Sequence, residues 1–290
     1  MTKWTAADIP DLSGRTYVVT GANSGLGAST ARELAAHGGA VIMACRNVGK
    51  AERVAASIGG KTEVRALDLS DLASVRAFAE SVDGLDVLVN NAGVMALPLG
   101  RTKDGFETQF GTNHLGHFAL TGLLLPKVRD RVVTVSSGAH RLGRINLADP
   151  NWEHRRYSRW RAYGQSKLAN LMFAYELQRR LTASGSAVIS VAAHPGYANT
   201  DLQSHTQSIQ DQVMAIGNRY FAQSADMGAL PTLYAATAPD AVGGAFYGPD
   251  GFIEQRGYPH RVGSTRASRD EVVARALWQR SEDLTGVRFL

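Results

Sequence analysis

Tyr163 and Lys167 stand four residues apart in Tyr163-Gly164-Gln165-Ser166-Lys167, at what reads as the start of a long helix. One helical turn puts a phenol and an ammonium on the same face. A tyrosine titrates near 10, so acid-base work at neutral pH requires its charged form to be favoured by about 3 units, roughly 4 kcal/mol. A lysine about 4 Å away contributes about 4 kcal/mol at an effective dielectric near 20. By itself the spacing fits a surface pair equally well; its weight depends on what else the chain carries.

Far upstream, Thr20-Gly21-Ala22-Asn23-Ser24-Gly25-Leu26-Gly27 follows a short apolar run and opens a helix. The spacing G-x-x-x-G-x-G suits a tight turn that brings backbone N–H groups to a pyrophosphate at a helix N-terminus. It differs from the fingerprint G-x-G-x-x-G, and Gly49-Lys50-Ala51 does not form a P-loop. About 20 residues on, where a binder of unphosphorylated ribose would place Asp or Glu, stand Ala44-Cys45-Arg46-Asn47. A guanidinium pairs with a 2′-phosphate, so the site reads as selective for NADP(H), with NAD(H) the weaker choice. Asn23, Ser24 and Asn47 offer further donors. Asp68-Leu69 is placed to meet the adenine edge, and the small residues of Asn90-Asn91-Ala92-Gly93 would let backbone approach the ribose.

The elements that must position these residues alternate. Strands are expected near residues 17–20, 40–44, 63–67, 87–90, 131–136, 187–192 and 245–247, with helices between them, including 25–37, 106–124, 162–182, 227–236 and 269–281. That alternation predicts an α/β fold: a single doubly wound, Rossmann-type domain over residues 1–290, with a parallel sheet of about seven strands flanked by helices. Two long connections, about 138–161 and 199–225, leave carboxyl ends of strands, where open α/β sheets bind ligands. Met95, Leu97, Leu142, Tyr197, Met214 and Phe221 are candidate apolar walls, though packing explains each equally well.

With Thr20 to Gly27, Asn90 to Gly93, Ser136-Ser137 and Tyr163 to Lys167 in this order, the chain resembles the short-chain dehydrogenase/reductase family from about residue 14 to 252. The Ala44-Asn47 turn, Thr112-Asn113-His114-Leu115-Gly116-His117-Phe118 and Ser166-Lys167-Leu168-Ala169-Asn170 look like its retinol dehydrogenase and WW-domain oxidoreductase branch. The resemblance implies Tyr163 as general acid-base, with Lys167 lowering its pKa and holding the nicotinamide ribose. It implies Ser137 as a donor to the substrate oxygen and Asn113 as the holder of a relay water. Pro195, Gly196 and Thr200 match the loop that covers the nicotinamide carboxamide. The loop after Ser137 is longer than is common in the family.

Composition narrows the alternatives. At 290 residues and 44% hydrophobic content the chain can bury a large core. The net charge of +5 is spread thinly except for six arginines between Arg141 and Arg161; no nucleic-acid motif accompanies them, and no nucleic-acid partner is expected. The single cysteine, Cys45, excludes an intrachain disulfide and suits a reducing, cytoplasmic setting. The first twelve residues lack the apolar core of a signal peptide, and no membrane anchor is expected. Tyr157 with Arg161 is a decoy for the Tyr-Lys pair. His114 and His117, one turn apart, lack acidic or thiol neighbours that would complete a metal site, so no metal is expected.

The expected activity is an NADP(H)-dependent transfer of hydride between nicotinamide and a small-molecule carbonyl or alcohol, with a bulky hydrophobic aldehyde or ketone favoured. A sugar-nucleotide epimerase-type enzyme and a non-catalytic NADP-binding regulator are the alternatives. Leu168, Leu171, Met172 and Tyr175 form a stripe that would serve either a homodimer or homotetramer or the cover of the chain's own sheet.

Overall fold

The computed structural model describes residues 3–196 and 224–290. Eight strands form one sheet: β1 (Thr16–Thr20), β2 (Ala40–Cys45), β3 (Thr62–Ala66), β4 (Leu85–Asn90), β5 (Val128–Val135), β6 (Ile189–Ala193), β7 (Phe246–Pro249) and β8 (Pro259–Arg261), in the order β3-β2-β1-β4-β5-β6-β7-β8. The first seven are parallel and fall close to the expected positions. β8 pairs antiparallel with β7, Tyr247 opposite Arg261, and is the strand the sequence pattern does not announce.

The inner strands are apolar on both faces because helices cover both. In β1, Tyr17 and Val19 enter one core and Val18 the other; in β2, Val41, Met43 and Cys45 divide from Ile42 and Ala44 in the same way. The first core is closed by α1 (Gly25–Ala36), α2 (Val48–Ile58) and α7 (Ala225–Thr237). The second is closed by α3 (Leu72–Ser81), α5 (Gly116–Leu124), α6 (Arg159–Ala183) and the C-terminal α8 (Glu271–Thr285).

The single helix expected over 106–124 is in fact three pieces. A short α4 (Thr108–Phe110) passes into a widened π turn (Gly111–Leu115) and then into α5. Gly116 N–H reaches back five residues to the Gly111 carbonyl, a local unwinding that recurs at functional sites.

The stripe on α6 is turned inward. Leu168, Leu171 and Met172 are buried in the chain's own cores, and α8 packs along α6, with Trp278 stacked on Phe173 at 5.7 Å and edge-on to Phe118 at 5.1 Å. No helix among the described residues is long and apolar enough to cross a membrane.

Strand order reverses between β1 and β4, whose neighbours lie on opposite sides of the sheet. Their carboxyl ends therefore open a crevice. The glycine turn, Asn90 to Gly93, Ser136-Ser137 and the first turns of α6 all belong to that end.

Candidate active site

The glycine turn leaves β1 with Gly21 at φ +67, and any Cβ on Gly27 would collide with the Gly21 carbonyl. Both positions therefore demand glycine. Asn91 Nδ2 donates to the Thr20 carbonyl at 2.8 Å, so this side chain braces the turn from within the protein. Asn47 caps α2 by accepting from Lys50 N–H at 2.9 Å, and Asp71 caps α3. Ser24, at the head of α1, makes no side-chain cap, and no acidic residue stands in the first turn. An uncapped helix N-terminus above a glycine turn fits a pyrophosphate: its amides donate and its dipole favours negative charge.

Arg46 and Asn47 lie exposed just past β2, across the turn. Asp68 follows β3, its Oδ1 held by Ser70 N–H at 2.9 Å and the Ser70 hydroxyl at 2.6 Å. Leu69 is buried in the second core. Thr200, with Tyr197, Met214 and Phe221, lies outside the described residues, as does most of the expected 199–225 loop.

Beyond the crevice, β5 and α6 are tied together. The Ser136 hydroxyl donates to the Lys167 carbonyl at 2.8 Å, and the Val135 carbonyl accepts from Lys167 Nζ at 3.2 Å and from Asn170 Nδ2 at 3.3 Å. Gly143 and Gly164 meet face to face: a Cβ on Gly143 would collide with the Gly164 carbonyl. That approach lets the turn after Ser137 lie against α6 beside Tyr163. Ser137 accepts from Ala139 N–H at 3.2 Å, and its hydroxyl stands near enough to the Tyr163 phenol to lower that group's pKa. Tyr163 and Lys167 are both buried.

The charge state of the pair departs from expectation. Burial pushes the Tyr163 phenol up to about 12, against the lowering influence of the nearby Ser137 hydroxyl, and burial pushes the Lys167 ammonium down to about 8. Helical spacing brings a lysine within charge range of the phenol, but burial removes water from both groups. In the protein alone desolvation is the larger effect.

Asn113 sits in the π turn, fully buried. Its Oδ1 accepts from Val94 N–H at 2.7 Å, while its Nδ2 donates to the Val94 carbonyl at 2.9 Å and to Ser166 Oγ at 2.9 Å. A Cβ on Gly93 would lie 3.2 Å from Asn113 Oδ1 and 3.5 Å from Lys167 Nζ, so Ala92-Gly93, Asn113 and Lys167 form one contiguous wall.

The long loop after Ser137 is not slack. Arg155 lies 3.6 Å over the Trp152 ring and donates to Gln165 Oε1 at 2.7 Å, while Gln165 Nε2 donates to the Pro150 carbonyl at 2.8 Å. Tyr157, the decoy, donates to the Leu97 carbonyl at 3.0 Å and lies 3.0 Å from Glu107, whose burial raises its pKa. It is a strut between this loop and the head of α4. Arg161 is exposed.

Sequence reasoning missed Glu254. It pairs with Arg141 at 3.0 Å and with the buried His194 at 3.1 Å, and those contacts hold its carboxyl below the usual range. Gly196 N–H donates to His194 Nδ1 at 3.3 Å. One carboxylate thus clamps the turn after Ser137 to His194-Pro195-Gly196. Ile253 and Glu254 both have positive φ, 53° and 56°, which costs of order 1–3 kcal/mol each. No local pattern signals this contact; the partners come from three separate connections.

A doubly wound sheet with an uncapped glycine turn at its switch point and a Ser-Tyr-Lys cluster one strand away defines a nicotinamide-dependent dehydrogenase or reductase. The short chain dehydrogenase family model matches residues 15–211, and the chain belongs to the short-chain dehydrogenase/reductase family. Within it the chain falls in the retinol-dehydrogenase-like branch. It is 42% identical to human retinol dehydrogenase 13 over 95% of this chain and 86% of that one, and 39% identical to mouse polyprenol dehydrogenase over 96% and 86%. A crystal structure of a putative uncharacterized protein from Mycobacterium paratuberculosis is 56% identical, covers 100% of both chains and superposes with a TM-score of 0.88.

Proposed function

We propose that this enzyme is an NADP(H)-dependent oxidoreductase acting on a bulky, hydrophobic aldehyde or ketone and the corresponding alcohol. One observation carries the reading: Tyr163 is buried one turn from Lys167 on α6, with the Ser137 hydroxyl near enough to lower its pKa, at the same end of the sheet as the glycine turn. Bound nicotinamide supplies or accepts the hydride. Ser137 donates to the substrate oxygen and fixes the reacting carbon. Tyr163, protonated at neutral pH, gives its proton to that oxygen in reduction and recovers it in oxidation. Lys167, when charged, stabilises the phenolate left behind, and Asn113 holds the wall beside it.

The cofactor preference rests on Arg46, and the carbonyl or alcohol class on the site. The apolar substrate draws support from the retinol and polyprenol dehydrogenases that this chain resembles. A cytoplasmic setting belongs to the same reading and rests on the lone, buried Cys45.

The test is a panel of aldehydes and ketones, from long-chain apolar to short polar, with NADPH and with NADH under identical conditions, following absorbance of the reduced nicotinamide. NADPH-dependent turnover is expected, greatest for the apolar members and lowered by about 10²–10⁴ in Tyr163→Phe. Higher catalytic efficiency on short polar carbonyls sinks the substrate assignment, and wild-type rates in Tyr163→Phe sink the mechanism.

A further inference from the structure

His117 is fully buried in the first turn of α5, between the end of β1 and the π turn. Its Nδ1 is 2.9 Å from the Asn113 backbone carbonyl and its Nε2 is 2.9 Å from Thr20 Oγ1. A carbonyl only accepts, so Nδ1 carries the proton and donates it. Nε2 then holds a lone pair and must accept from the Thr20 hydroxyl. That same hydroxyl oxygen accepts from Asn91 N–H and Ala92 N–H, both at 2.9 Å, and the other acceptor within its reach, the Val89 carbonyl, is 3.4 Å away. In the chain Asn113–His117–Thr20–Asn91/Ala92 each proton is donated once, all in one direction.

A second proton on Nε2 would face a hydroxyl oxygen already holding two amide protons. Burial pushes His117 down to about 4, and of the titratable groups facing the ring, Lys167 and His114, the positive charge of Lys167 opposes protonation as well. The ring is therefore neutral throughout the working range, with a fixed tautomer.

We propose that His117 is a positioning residue: as the neutral Nδ1–H imidazole it locks the Asn113 carbonyl in the π turn to the Thr20 hydroxyl at the end of β1, holding the relay wall beside Lys167 in register with the Asn91-Ala92 backbone that meets the cofactor. The inference rests on the oxidoreductase reading given above.

Three variants and one spectrum test it. Asparagine places an N–H donor where Nδ1 stands, whereas leucine supplies none. Loss of one directional hydrogen bond predicts that His117→Leu lowers kcat about tenfold and weakens NADPH several-fold, while His117→Asn recovers kcat to within about threefold. Thr20→Ser, which keeps the hydroxyl, stays near wild type. The pH midpoint of kcat moves in His117→Leu and returns in His117→Asn. Nitrogen-15 NMR of histidine-labelled enzyme, with His117→Asn assigning the signal, shows the Nδ1–H tautomer. An Nε2–H tautomer, or equal kcat and NADPH affinity in the leucine and asparagine variants with only thermal stability changed, makes His117 a packing residue and overturns the proposal. If the wild type turns over no carbonyl with either nicotinamide, the functional reading falls. The tautomer and NADPH titrations still decide the role of His117, and they also cover a leucine variant that fails to fold.

Discussion

Lys167 directs its Nζ to the Val135 carbonyl at 3.2 Å and stands 5.8 Å from the centre of the Tyr163 ring. The ammonium is thus held near the phenol at a cost to the fold. Its folded pKa of about 8 lies below the ordinary 10.5, so the unfolded chain binds this proton more tightly. The penalty is complete below about pH 8 and fades as pH rises towards the unfolded value. Lys167→Met is therefore expected to stabilise the protein at pH 7 by on the order of 1–3 kcal/mol while abolishing turnover. The Val135 carbonyl keeps Asn170 as donor. Urea unfolding at pH 7 and near pH 9.5 checks this: the gain shrinks at the higher pH, and a destabilised variant at pH 7 contradicts it.

Tyr163→Phe keeps the ring in its buried slot and removes only the proton carrier. A loss of about 10²–10⁴ in kcat is expected, the usual contribution of a positioned acid-base group, with NADPH affinity within about threefold of wild type. Ser137→Ala removes one donor to the substrate oxygen and is expected to cost about 10- to 100-fold in kcat. Steady-state kinetics alongside cofactor titration separate these from a collapse of the cofactor site, which would weaken NADPH binding in both.

Cys45 is buried at the end of β2, with its sulfur against the Ala22 and Asn23 amides of the glycine turn. Burial pushes its pKa up to about 11, so almost no thiolate exists at pH 8. Alkylation by iodoacetamide is expected to follow unfolding and not to occur in the native protein. Prompt labelling of the native enzyme would contradict the buried placement.

What the sequence made legible was local. The β-branched and apolar residues of β1 and β2 alternate between two cores as their period requires, and glycine turn, Arg46, Ser137 and Tyr163-Lys167 each announce themselves by type and spacing. Contacts between distant segments stayed hidden. Glu254 meets Arg141 and His194 across three connections, and β8 is a three-residue strand, Pro-His-Arg, with no apolar pattern. At Tyr163 burial outweighs the neighbouring charge in the protein alone, because spacing reveals a neighbouring charge but not the depth of burial. The π turn likewise depends on where Asn113 and His117 find partners, and those partners, Val94, Ser166 and Thr20, lie on distant segments.

Trp278 on α8 stacks on Phe173, meets Phe118 edge-on, and lies beneath Arg180, whose guanidinium is 4.3 Å from its ring. Its Nε1 donates to Glu282 at 3.0 Å, and nearby the Ser281 hydroxyl lies 2.9 Å from His114 Nε2 in the π turn. Trp278→Ala is expected to cost about 3–5 kcal/mol, the usual cost of emptying an aromatic site. Denaturant unfolding measures it. A cost near zero would mean that α8 does not hold the helices it covers.

Arg46 isolates the cofactor preference in one exposed side chain, just beyond the β2 end and across from the uncapped head of α1. A guanidinium there pairs with a 2′-phosphate through charge-assisted bonds of about 1.5–3 kcal/mol each, so Arg46→Ala should weaken NADPH by roughly 10- to 150-fold. NADH lacks the phosphate and should change far less. Because Arg46 is exposed and Asn47 alone caps α2, the substitution should leave stability nearly untouched, which separates a phosphate contact from a structural one. Arg46→Asp should go further, since a carboxylate repels the phosphate yet accepts from a free ribose hydroxyl, reversing the preference towards NADH. Titration of both reduced cofactors against wild type and the two variants decides the matter. Equal weakening of NADPH and NADH in Arg46→Ala would show that the arginine does not read the phosphate, and the NADP(H) assignment would fall with it.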